Sequence, residues 1–177
     1  MKEVIKLAKA LVVVDMQNDF VDGALGTKEA QEMLPRLIKK LETLDKDTDI
    51  FFTQDTHSEN YLETQEGKML PVVHCVKKTH GWEIVPQLHD FVKKANAVIE
   101  KKAFGSTRLP SLLKKYEEVE FVGLCTDVCV ISNAILLKAF YPEQRIAVDA
   151  NCCAGVTPES HQNALAAMKM CQCVIRS

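Results

Sequence analysis

Apolar residues along this chain gather in short, nearly continuous runs, separated by stretches where they recur every three or four positions. Runs at Ala10–Val14, Ile50–Thr53, Ala97–Glu100, Val119–Gly123 and Ile146–Val148 have strand character, and a weaker one closes the chain at Cys173–Ile175. Continuous rather than alternating runs suit strands covered on both faces. Between them, Leu34, Leu37, Ile38 and Leu41 recur at helix spacing, Val130 to Phe140 is an apolar helical pattern, and Leu165 and Met168 belong to another. Thr157-Pro158 reads as a helix start, with Thr offering an N-cap oxygen and Pro its fixed φ at the first helical position. Strands alternating with helices predict a three-layer α/β/α domain with a mostly parallel, doubly wound sheet. With 177 residues the chain suffices for one domain with a substantial core, and residues 1–177 are read as a single domain. One segment breaks the rhythm: Asp55 to Gly81 is polar and without clear periodicity, and loops of that length in compact domains are usually functional.

Composition narrows the function classes. Hydrophobic residues are 47%, charged residues 26% and the formal net charge is −2, as in an ordinary soluble protein. Lys39-Lys40, Lys77-Lys78 and Lys114-Lys115 are short and scattered, so neither nucleic acid nor an anionic membrane is an expected partner. No apolar stretch reaches transmembrane length. Ala10 to Val14 runs straight into Asp15 without a small-residue cleavage site, so no signal peptide is read. Seven cysteines without a secretory signal point to free thiols in a reducing cytoplasm.

In open parallel sheets the ligand site lies beyond the carboxyl ends of the strands. Asp15 ends the first run, Asp55 and His57 follow the second, Lys101 follows the third, and Cys125 to Cys129 follow the fourth. An acid, a lysine and a thiol can therefore meet at one rim, the set needed for a nucleophile with a base and a cation. Cys129 sits at a strand-to-helix corner, where unpaired N–H groups and the helix dipole favour a thiolate, so a low-pKa thiol is expected. The alternative is a buried structural cysteine. Asp55-x-His57 with Glu66 and His74 forms a second cluster, suited to Zn²⁺, Fe²⁺ or Mn²⁺. The bland reading is chance occurrence of acids and histidines in a polar loop. His80, His89 and His161 read as surface residues. Cys152-Cys153 and Cys171-x-Cys173 read as core or near-core thiols.

Five motifs in order carry a family resemblance: Val-Val-Asp-Met-Gln-Asn-Asp-Phe at 13–20, Asp-Thr-His at 55–57, Pro-Val-Val-His-Cys at 71–75, Lys-Lys-Ala-Phe-Gly-Ser-Thr at 101–107 and Gly-Leu-Cys-Thr-Asp-Val-Cys-Val at 123–130. Together they resemble the isochorismatase-like cysteine hydrolases, in the nicotinamidase/pyrazinamidase branch. The resemblance implies Asp15 as general base, Lys101 as the cation and Cys129 as nucleophile. Lys101 is preferred to Lys102 because Phe104 then lies three residues on. It also implies a cis peptide at Leu124–Cys125 and an oxyanion hole from the N–H groups of Cys125 and Cys129. One divalent transition metal is implied on Asp55, His57, Glu66 and His74, with Glu63 the substitute for Glu66. That ion orients the substrate ring rather than activating water. Phe20, Phe104 and Leu70 are the implied substrate contacts. The stretch Leu70-Pro71-Val72-Val73-His74 is aliphatic where many relatives carry an aromatic. The implied substrate is a small amide, nicotinamide, cleaved to nicotinate and ammonia through a thioester. The alternative within the family is a ureido or N-carbamoyl amide, and outside enzymes it is a non-catalytic protein retaining the fold. A homo-oligomer is the expected assembly.

Overall fold

The computed structural model describes residues 8–177. Its six strands are β1 (Lys9–Val14), β2 (Thr48–Asp55), β3 (Ala97–Lys101), β4 (Glu118–Leu124), β5 (Arg145–Ala154) and β6 (Val174–Arg176). They form one sheet in the order β3-β2-β1-β4-β5-β6, and every pairing is parallel. The helices are α1 (Asn18–Val21), α2 (Lys28–Glu42), α3 (Gln65–Met69), α4 (His89–Val92), α5 (Leu109–Leu113), α6 (Ile131–Phe140) and α7 (Pro158–Met170).

Successive residues of a strand point to opposite faces, and β1 is apolar on both. Ala10, Val12 and Val14 join a core with Leu113 of α5, Leu137 of α6 and Met168 of α7. Leu11 and Val13 join a second core with Met33 and Leu37 of α2 and with Leu88. Burying each large aliphatic side chain contributes about 1.5–3 kcal/mol, so a strand buried on both sides anchors both layers. This is why the runs in the sequence are continuous. The helix start at Thr157 is also as expected, with a reciprocal capping box between Thr157 and Ser160.

The chain winds outward from β1 in one direction and from β4 in the other. The connections leaving the carboxyl ends of β1 and β4, which stay paired to Val14 and Gly123, therefore run to opposite sides and leave a crevice at the switch point of the sheet. Gly123 lets those two strands approach there. Its φ is +111°, and a Cβ on it would lie 2.2 Å from the Val14 carbonyl oxygen, one residue before Asp15.

One strand boundary and one burial differ from expectation. Strand β5 runs on from Val148 to Ala154: Asp149 and Asn151 interrupt the apolar run, and pairing with β4 shifts register there before resuming at Cys153. Cys152, Cys153 and Cys173 are buried, but Cys171 is exposed, correcting the reading of both pairs as core or near-core thiols. It caps the end of α7, where the side chain leaves the helix for solvent. No helix among the described residues is long and apolar enough to cross a membrane.

Candidate functional site

Asp15, Asp55 and Lys101 all lie at strand ends on the crevice side, and β2 pairs Asp55 directly with Lys101 of β3. Lys101 Nζ lies 2.7 Å from Asp15 Oδ2 and 3.0 Å from Asp55 Oδ1, and it donates to Cys129 Sγ at 3.4 Å. All four side chains are buried. Lys102, by contrast, is exposed. Asp15 has a positive φ of 47°, its N–H donates to the Thr53 carbonyl, and the Thr53 hydroxyl donates to Asp15 Oδ1 at 2.7 Å. That leaves Oδ2 turned toward the ammonium.

Cys129 sits in a wide helical turn, Thr126–Val130, which follows Cys125 and leads into α6. The Cys125 carbonyl accepts from the N–H groups of Val128 and Val130, and the Leu124–Cys125 peptide is cis, as the resemblance implied. The electrostatics differ from the thiolate expected of a helix start. Burial raises the Cys129 thiol well above its ordinary value, and Asp15 raises it further against the pull of Lys101. Desolvation of the charged form outweighs the turn and the nearby cation here, which favours the neutral thiol. Burial likewise raises Asp15 above the usual carboxylate value, although Lys101 opposes it. Lys101 is held protonated: burial works against its charge, but Asp15, Cys129 and Asp55 together raise it.

Beside this group, Asp55, His57, Glu66 and His74 bring one ligand atom each to within 4.8 Å of one another. His57 Nε2 faces Asp55 Oδ2 at 2.9 Å and Glu66 Oε1 at 3.6 Å, and His74 Nε2 lies 3.8 Å from each of these oxygens. His57 Nε2 is buried without a hydrogen bond. The His74 Nδ1 lies 2.8 Å from the Val72 carbonyl, which takes its N–H and leaves a lone pair on Nε2. Two bare imidazole nitrogens and two carboxylates converging on one point fit a divalent ion. Glu63 is exposed on a single 3-10 turn and takes no part.

The two groups share Asp55, which gives Oδ1 to Lys101 and Oδ2 to the histidine side. Above them opens a cavity of about 140 Å³ lined by Phe20, Leu70 and Phe104 together with Asp55, Glu66, His74, Cys125 and Cys129. Leu25, Thr27, Val128 and Val156 complete its wall; no spacing in the sequence marks these four.

Other supporting residues also went unmarked. Tyr61 is fully buried, packs edge-on against both His57 and His74, and donates from its hydroxyl to the Leu70 carbonyl. Gln17 ties the β1 end to β2: its Oε1 accepts from Asp55 N–H and its Nε2 donates to the Asp55 and Trp82 carbonyls. The Asp-Met-Gln spacing after an apolar strand was a usable signal for Gln17; Tyr61 had none. His80 and His89 are exposed as expected. His161 is not a surface residue: it is half-buried, with Nδ1 2.8 Å from the Thr126 hydroxyl.

Residues 9–177 match the family model described as "Isochorismatase domain". An isochorismatase family protein, PncA, of Bacillus subtilis is 30% identical over 173 residues, covering 90% of this chain and 93% of that protein. A nicotinamidase of Escherichia coli is 29% identical over 196 residues, covering 92% of this chain and 90% of that protein. Among solved structures, a pyrazinamidase of Pyrococcus horikoshii in complex with zinc superposes with a TM-score of 0.81 at 28% identity, covering 95% of this chain and 98% of that one.

Proposed function

We infer, for a chain that belongs to the isochorismatase-domain family, an amide hydrolase that converts nicotinamide to nicotinate and ammonia with Cys129 as nucleophile. The observation that carries this reading is the buried Asp15–Lys101–Cys129 group, whose Cys129 lines the cavity, joined through Asp55 to a cluster of four side chains able to hold a metal ion. The match to a nicotinamidase along nearly its whole length supports the substrate.

The reaction follows from what the side chains can do. Asp15, made more basic by burial, takes the proton of the Cys129 thiol as sulfur attacks the carboxamide carbon. Lys101 touches both groups and offsets whichever negative charge is present at each stage. The carbonyl oxygen becomes an oxyanion facing the N–H groups of Cys125 and Cys129. Collapse of that intermediate breaks the C–N bond, and Asp15 returns the proton to the departing ammonia. A water molecule, deprotonated by Asp15, then attacks the thioester; the C–S bond breaks, Asp15 gives that proton to the departing sulfur to restore the thiol, and the acid formed ionises to nicotinate. Phe20 and Phe104 flank the ring, while Leu70 covers the entrance. Asp55, His57, Glu66 and His74 would hold a divalent ion, zinc being the one bound in the Pyrococcus relative, and its chemistry would be to accept the ring nitrogen.

This division of labour predicts a separation of effects. His57→Ala lowers metal content to well below one ion per chain and raises KM for nicotinamide. Alkylation of Cys129 by iodoacetamide proceeds as before, because His57 does not touch the thiol. Elemental analysis and peptide mapping read the two results, and a variant that keeps its ion, or whose Cys129 no longer reacts, contradicts the assignment.

Comparison of amides tests the substrate. Nicotinamide and its pyrazine analogue have a ring nitrogen for the metal centre; benzamide has the same outline and the same scissile bond without it. A site left with an unpartnered polar group loses far more than a simple apolar contact does, on the order of 100-fold or more in kcat/KM. Equal turnover of benzamide by metal-loaded protein would sink the nicotinamide assignment. Turnover of a ureido or N-carbamoyl amide in its place would favour the other branch of the family.

A further inference from the structure

The nucleophile turn is held from behind by the loop after β5 and the first turn of α7. Thr126, its first residue, is fully buried, and its hydroxyl pairs with His161 Nδ1 at 2.8 Å. Asp127, the next residue, accepts the Val156 N–H on both carboxylate oxygens, at 3.2 and 3.1 Å. Gly155 between these anchors admits no side chain, since a Cβ there would lie 2.9 Å from the backbone nitrogen and Cβ of His161. The backbone and Cβ of His161 are thus packed close against Gly155, and its ring is bonded to the turn.

We propose that His161 is a positioning residue for hydrolysis, setting the turn that carries Cys129 through its hydrogen bond to Thr126. The proposal rests on the hydrolase reading above. Thr126 directly follows Cys125, whose N–H faces the oxyanion, and lies three residues before Cys129. A shift at Thr126 therefore moves the oxyanion donor and the nucleophile together. His161 itself contributes nothing to the cavity lining, so it acts only through the turn. Whichever of the two donates, the bond satisfies a hydroxyl that has no access to water, and losing it frees the turn to seek another partner. Displacements of about 1 Å in a reacting group cost on the order of 100-fold in rate. Burial holds the imidazole below the usual histidine value, which keeps the ring neutral beside the neutral hydroxyl.

The test uses His161→Leu, His161→Asn, Thr126→Val and the double variant His161→Leu/Thr126→Val. An Asn amide can occupy the place of Nδ1, so His161→Asn restores the bond that His161→Leu removes. Expected are a fall in kcat of about 10- to 100-fold in His161→Leu with KM within about threefold, recovery of most of that loss in His161→Asn, and a double variant no slower than the slower single one. Hydrogen–deuterium exchange of residues 125–131 should quicken in His161→Leu and Thr126→Val and stay near the parent rate in His161→Asn. An unchanged kcat in His161→Leu, equal loss in Leu and Asn variants, or additive losses in the double variant would overturn the proposal. If the unaltered protein releases no ammonia from nicotinamide, it is the hydrolase reading that fails. The exchange rates then decide the His161–Thr126 coupling by themselves, as they do for any variant too unstable to assay: no quickening refutes it.

Discussion

Cys129→Ala is expected to lower kcat for nicotinamide by about 1,000-fold or more, because covalent catalysis loses its only nucleophile. The thiol is buried among side chains of both β1 and α6, and alanine removes a single sulfur, so the fold should persist with its metal centre intact. Cys129→Ser should be nearly as inactive: a hydroxyl is a far harder group for a carboxylate to deprotonate than a thiol. Steady-state kinetics and metal content together check the result. Residual activity within tenfold of the parent protein would move the nucleophile elsewhere, and Cys125, which also lines the cavity, would be the next residue to replace.

Asp15→Asn should cost about 100- to 10,000-fold in kcat, the range expected when a positioned general base is lost. The amide has the shape of the carboxyl group and can still accept from Thr53. It cannot take the thiol proton, and burial favours the neutral form of Cys129, which works against a standing thiolate in place of the lost base. The same change leaves the buried Lys101 ammonium with Asp55 as its remaining carboxylate, so a lower melting temperature should accompany the lost rate. Thermal unfolding and activity at a temperature where both proteins are folded separate the two effects. A variant that hydrolyses nicotinamide at the parent rate would remove Asp15 from the mechanism.

The sheet was readable because its strands are buried on both faces: Leu11 to Val14 is apolar without a break, and Val119 to Val122 is broken only by Glu120. Its limits were less so. Asp149 and Asn151 hide the second half of β5, and α1, α3, α4 and α5 are four or five residues long, too short to show a helical period. The site was readable in its reactive groups, because Asp15, Asp55, Lys101 and Cys129 stand at the ends of recognisable strands. What escaped is what holds them. Thr53, Tyr61 and His161 act through contacts across 38, 13 and 35 residues of sequence, from Thr53 to Asp15, Tyr61 to His74 and His161 to Thr126, and nothing local announces such pairings. The protonation of Cys129 escaped for a similar reason. Position at a helix start argues for a thiolate, while desolvation by the surrounding core, visible only in three dimensions, argues more strongly against it. A practical consequence is that exposed Cys171 competes with Cys129 for alkylating reagents, so labelling must be mapped by peptide.

The central claim is that this chain hydrolyses nicotinamide at Cys129. Its most direct test is product analysis of zinc-loaded protein incubated with nicotinamide. Nicotinate and ammonia should appear in equal amounts, and prior alkylation mapped to Cys129 should abolish both. Protein that binds its ion and retains a titratable Cys129, yet forms neither product, would contradict it.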